Sequence, residues 1–186
     1  QILSSTATGT DWIAAPSAGS TVYTPDVFEI DNQAITSSQG RSNNMQQNLL
    51  ITGNTGVTIA VGQNIALTAS QNGVYEISYT IYLKTTHTVR QVIGAYVERQ
   101  PDAGSTEVLE GSLSAVYMRT GGSNQGGEGT ITNTFYAVIA ADDVFRFKTG
   151  RTDANTAPVA VSIATPTWPG SSVKHTISFR KINAAS

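Results

Sequence analysis

The chain has no cysteine and only two histidines among its 186 residues. Without cysteine there is no disulfide framework, no thiolate nucleophile and no cysteine-ligated zinc site. Charge is scarce too: 13% of the residues are Asp, Glu, Lys or Arg, and the formal net charge is −2. A protein held on nucleic acid by phosphate contacts needs clustered Lys and Arg, whereas the eleven basic residues here are scattered. No apolar run approaches the ~20 residues needed to cross a bilayer, so no membrane insertion is expected. The amino end, "QILSSTATGTDW", has neither a basic n-region nor an apolar h-region. It does not start with Met and is expected to be a processed end or a cut from something longer.

The scarcity of histidine bears on catalysis. His87 lies in the loop-like "KTTHTVR" and His175 in a strand-like run, and neither has the context of a Ser-His-Asp base. Both are read as structural or surface residues. No HExxH spacing and no Asp-x-Asp-x-Asp loop occur, so no metal or other cofactor is expected. Asp142 and Asp143 are the one adjacent carboxylate pair. They read as a turn, because a general acid and base would sit on separate strands facing a cleft. The chain is not expected to be an enzyme.

Thr, Ser, Gly, Asn and Gln are abundant, a texture common in secreted or virion-borne β proteins. Helical periodicity is hard to find, and the strong patterns all have a period of two. In "GVYEISYTIYLKTT" (73–86), Tyr75, Ile77, Tyr79, Ile81 and Leu83 share one face, and Glu76, Ser78, Thr80 and Lys84 share the other. Further strands are expected in "STVYTPDVFEI", in the pieces of "NLLITGNTGVTIAVGQNIALTAS", and in "VRQVIGAYVERQ", "STEVLEGSLSAVYMRT", "GTITNTFYAVIA", "VFRFKTGR", "PVAVSIATPTW" and "VKHTISFRKI". The eighteen-residue, largely polar "DNQAITSSQGRSNNMQQN" reads as a long loop. Roughly eight to ten strands spaced by about 10 to 20 residues point to an antiparallel sandwich or barrel. No linker divides residues 1–186, and 1–20 read as an extended arm or linker from a longer fibre. The glycine-rich "RTGGSNQGGEGT" (119–130) is read as a hairpin end, since a phosphate cradle would need a following helix where this sequence has a strand.

Four features fall in the order found in the tumour necrosis factor and complement globular-head superfamily. "GVYEISYTIYL" resembles its strand beginning Gly-x-Tyr, and "TNTFYAVIAADDVFRFKTG" resembles its strand pair joined by an Ala-Gly-Asp-x-Val turn. "VIGAYVERQ" and "EGSLSAVYM" stand where its middle strands lie, and "SSVKHTISFRKI" looks like its final strand. The resemblance covers roughly 57–182. It implies an all-β, TNF-like jelly roll that forms a homotrimer, with Tyr75, Tyr79, Tyr117, Phe135 and Tyr136 meeting their copies around the threefold axis. Family members bind calcium near that axis, but no calcium loop appears here.

The polar texture looks most like a bacteriophage fibre or spike knob. That implies a non-enzymatic virion surface protein whose partners are other fibre or capsid proteins and a host-cell surface receptor or glycan. Two alternatives stand beside it: a structural trimerisation or capsid decoration module, and the tip of a bacterial collagen-like filament. Ligand-binding candidates are Trp168, Arg119, Asn124 and Arg151, in the loops 99–106, 119–130, 150–157 and 165–172. Trp168, in the Pro- and Gly-flanked "ATPTWPGSS", either stacks on a sugar or plugs the end of the sandwich. Arg90, Arg99, Arg119 and Arg151 otherwise read as solvated charges.

Overall fold

The computed structural model describes residues 2–6, 9–13, 24–35, 47–48, 51–53, 58–62, 66–85, 88, 90–119, 127–152, 161–164 and 175–183. Among them are sixteen strands and no helix. In the segment read as an arm, β1 (Ile2–Thr6) and β2 (Gly9–Ile13) pair with each other as a hairpin.

The other strands form two sheets. The first contains β5 (Gln47–Asn48), β7 (Ile59–Val61), β8 (Leu67–Ala69), β10 (Gln91–Gln100), β11 (Glu107–Val108), β12 (Ser114–Met118) and β14 (Val144–Arg151). Here β10 pairs with β14, β11 and β12, and β14 pairs with β8 and β5. The second contains β3 (Asp26–Ile30), β4 (Gln33–Ile35), β6 (Ile51–Gly53), β9 (Gly73–Thr85), β13 (Gly127–Ile139), β15 (Val161–Ile163) and β16 (Thr176–Asn183). Its centre is β9, flanked on one side by β13 and on the other by β16 and then β15. Every pairing is antiparallel.

The period of two explains β9 directly. Its odd-numbered residues from Gly73 to Thr85 are all buried, while the even ones are half-buried on the opposite face. The core lies between the sheets. Tyr79 packs on Phe147 with ring centroids 4.6 Å apart, and Phe179 packs on Phe145 at 5.5 Å and edge-on to Phe28 at 6.3 Å.

The polar stretch 31–48 departs from the expected loop. Within it β4 pairs with β15, and β5 pairs with β14. Short strands with few apolar residues take their place from an available sheet edge, which no periodicity announces. The Asp142–Asp143 pair does form the turn between β13 and β14. Asp142 takes a left-handed φ of 67°, which Asp tolerates better than most side chains. Buried Asp143 accepts the Ala140 N–H at 2.9 Å.

Candidate functional site

The side of the second sheet that faces away from the core is organised in rows. Strands β13, β9 and β16 lie side by side, so their outward residues line up across the sheet. In one row the Tyr136 hydroxyl donates to Glu76 at 3.1 Å, and Arg180 pairs with the same carboxylate at 2.8 Å. In the next, the Thr134 and Ser78 hydroxyls lie 3.0 Å apart, and in the third those of Thr132 and Thr80 lie 2.6 Å apart. Beyond them Thr130 stands opposite Tyr82, and Glu128 opposite Lys84. Burial, with Glu128 beside it, pushes the Tyr82 phenol up to about 12.

Among the described strands β13 pairs only with β9, so its other edge has no ladder partner there. Side chains from the first sheet and its connections meet part of that edge. Ser114 donates to the Thr132 carbonyl at 3.4 Å, and Arg99 donates to the Val138 carbonyl at 2.6 Å. Asn133 on β13 reaches back to the Gly111 carbonyl at 2.8 Å. Arg99 is further fixed by an ion pair with Glu107 and a longer one with Asp143 at 3.7 Å. Beside this edge runs an open groove of about 420 Å³, lined among others by Arg99, Val108, Leu109, Tyr136 and Val138. Tyr136 and Val138 are 62% and 64% exposed, unusually so for apolar side chains on a sheet.

The five aromatics expected between subunits divide. Tyr75, Tyr79 and Phe135 are 0%, 2% and 5% exposed within one chain, which corrects their assignment to an interface. Tyr75 and Tyr79 are odd-numbered on β9 and point into the core. Their hydroxyls are satisfied internally, Tyr75 donating to the Gln71 carbonyl at 3.0 Å and Tyr79 lying 2.9 Å from the Ala95 carbonyl and 2.7 Å from that of Ser112. Burial pushes the Tyr79 phenol up to about 12. Tyr117 and Tyr136 remain at the surface.

Of the four ligand-binding candidates, Trp168 and Asn124 lie outside the described residues, as does His87. Arg119 is exposed where β12 ends. Arg151 is not a displayed cation: it is 2% exposed, and its guanidinium donates to the Arg90 carbonyl at 3.0 Å. The alternation of β14 explains this, since Phe145, Phe147, Thr149 and Arg151 all fall on the inward face. Arg119 and Arg151 end strands on either side of β10 at the same end of the sandwich, but they do not share a surface. Arg99, read as plainly solvated, is instead the bridge between the sheets described above.

The residues missed by the sequence reading are Val138 and the hydroxyls of Thr130, Thr132 and Thr134. Their signal is the even-numbered half of "GTITNTFYAVIA", which periodicity alone does not single out because both halves of that strand carry apolar residues. As chemistry, this face offers hydroxyls, the two tyrosines Tyr82 and Tyr136, and the carboxylates of Glu76 and Glu128. His175 is buried with its Nδ1 already accepting a backbone N–H, so it is not a free base. Among the described residues no group of three His, Cys, Asp or Glu side chains could hold a metal ion.

No protein-family model matches the sequence, and no curated protein matches it. Solved structures do. The Eiger TNF from S. frugiperda superposes with a TM-score of 0.59 at 13% identity, covering 89% of this chain and 96% of that one. Murine APRIL at pH 5.0 gives a TM-score of 0.50 at 14% identity, over 85% of this chain and 99% of that one. The fold is a TNF-like jelly roll. Identities this low establish a shared fold and nothing finer.

Proposed function

We propose that this chain is a non-enzymatic binding module that assembles as a homotrimer through the outward face of its second sheet. As a knob on a virion fibre or spike, it would bind a host-cell receptor, with a glycan as the favoured class, through its loops. The observation that carries the assembly reading is the exposure of Tyr136 and Val138 on edge strand β13, continuous with a face of paired hydroxyls.

Such a face is suited to burial against a copy of itself. Ser78 with Thr134 and Thr80 with Thr132 already bond to one another, so each of these hydroxyls keeps at least one bond when water is removed. Glu76 is likewise neutralised by Arg180. Tyr136 and Val138 add the apolar area that makes association favourable. A closed cyclic trimer would cover these surfaces and present three identical sets of loops, which raises avidity for a repeated ligand. The Thr-, Asn- and Gln-rich composition is what supports the virion reading.

Light scattering on a size-exclusion column tests the assembly. The expected mass is about 59 kDa, three times the 19.6 kDa chain. A Tyr136→Asp, Val138→Asp double variant should run as a folded monomer, because two desolvated carboxylates oppose association. A monomeric wild type refutes the trimer. A glycan array and whole-cell binding test the receptor: an intact trimer with no selective ligand refutes that part and leaves a structural decoration module.

A further inference from the structure

Strand β9 changes partner part-way along. Val74 to Thr80 pair with β16, and Leu83 to Thr85 pair with β15. Backbone groups at such a switch lose their ladder partners, and a buried N–H without an acceptor is costly. Tyr82 occupies this switch. Its carbonyl accepts the Ala164 N–H at 3.3 Å, just past β15, and its own N–H donates to His175 Nδ1 at 3.0 Å, just before β16.

His175 is 3% exposed. Its carbonyl accepts the Ile30 N–H at 2.8 Å, and its Nε2 lies 3.1 Å from Asn32 Oδ1. A backbone N–H can only donate, so Nδ1 must be the bare acceptor and Nε2 carries the proton that Asn32 receives. The neutral ring therefore joins the end of β3, the middle of β9 and the start of β16, with both nitrogens in use.

A second proton can go only to Nδ1. There it would face the Tyr82 N–H, donor against donor, and leave a cation enclosed. The ionisable groups on the surrounding strands offer little relief. Glu29 on β3 and Tyr82 and Lys84 on β9 alternate with the inward residues Ile30, Ile81 and Leu83, so they belong to the opposite face of the sheet. Asp26, the inward carboxylate of β3, stands at the other end of that strand and is held by the Thr58 and Ile59 N–H groups; Arg180 and Lys181 lie farther along β16, half-buried Asp31 precedes Asn32, and β4 and β15 carry no ionisable residue.

We propose that His175 is an acid-sensitive latch: protonation of Nδ1 breaks its bond to Tyr82 and frees the start of β16 from β9 at the strand switch. The latch acts within one chain and does not depend on assembly. Burial lowers the pKa of His175 in the closed state below its ordinary value near 6.5. The opened state binds the proton more readily than the closed one. Opening is therefore favoured as pH falls below about 6.5, roughly tenfold per pH unit, until the closed-state pKa is reached.

Amide hydrogen exchange of the full chain between about pH 5 and 8, corrected for intrinsic exchange, tests this. Tyr82 protection should fall about tenfold per unit below pH ~6.5, while residues of β9 paired with β16, such as Ile77, hold theirs. His175→Gln keeps a side-chain acceptor that does not titrate, and should flatten the Tyr82 profile. A flat wild-type profile, the same fall in His175→Gln, or a simultaneous fall along all of β9 overturns the latch. If His175→Gln does not fold, the imidazole nitrogen shifts of the wild type decide. An Nε2–H tautomer titrating below ~6.5 supports the latch, and an Nδ1–H tautomer or titration at or above ~6.5 overturns it.

Discussion

Gln91 is the residue at which this fold is expected to gain stability from a mutation. It opens β10 opposite Met118, is 0% exposed, and finds no hydrogen-bond partner among the described residues for either its Nε2 or its Oε1. Its inward neighbour two residues on, Ile93, pairs with buried Arg151, so the amide sits at the polar end of an otherwise apolar core. Burying an amide without a compensating bond costs about 1–3 kcal/mol by protein mutational data. Methionine keeps the unbranched chain and nearly the same volume, so Gln91→Met removes that cost with little repacking. The expected gain is about 1–3 kcal/mol, which for a chain of this size is a rise in Tm of roughly 2–12 °C. Urea unfolding should show a higher midpoint at an unchanged m-value. Gln91→Glu is the opposing control and should destabilise, because an enclosed carboxylate has no cation to answer it unless Arg151 turns towards it. A Gln91→Met variant that unfolds at lower urea than wild type refutes the reasoning, since the amide must then be bonded inside the native protein.

Two further substitutions test how the sheets are held together. Buried Asp26 accepts the Thr58 N–H at 3.1 Å, the Ile59 N–H at 2.9 Å and the Thr58 hydroxyl, tying β3 to the start of β7. Asp26→Ala leaves those donors unmet and should cost about 3 kcal/mol in urea unfolding; a loss under about 1 kcal/mol would mean that water replaces the carboxylate. Tyr79→Phe removes one hydroxyl proton shared between the Ala95 and Ser112 carbonyls and should cost about 1–2 kcal/mol by calorimetry while leaving oligomeric mass unchanged. A change of mass without a change of stability would return Tyr79 to an interface.

The strands were legible where polar and apolar residues alternate cleanly. "VFRFKTGR" is β14 residue for residue, and β9 buries the same face that its alternation indicates. The same rule, carried to the last residue of β14, also places Arg151 inward, against the habit of reading a terminal arginine as solvated. Legibility failed in β13, because Ile131, Phe135 and Ile139 occupy one parity and Tyr136 and Val138 the other. Two apolar sides cannot be ranked by periodicity alone. The buried identities of Tyr75 and Tyr79 were misassigned for a related reason: alternation says that a side chain is buried but not against which chain.

The sequence by itself determined the class of the protein. The lack of cysteine and of long apolar runs, the sparse charge and a period of two throughout left an antiparallel β-sandwich or barrel as the way to bury these residues. Tertiary structure decided everything that depends on which strands become neighbours: the pairing of short β4 and β5 inside a polar stretch, the exchange of β9 from β16 to β15, and the use of His175 to satisfy the N–H left at that exchange. Alternation is a local property, set by the geometry of one strand. Partner choice is a long-range property, set by which edges remain open once the core has closed, and only the folded chain contains that information.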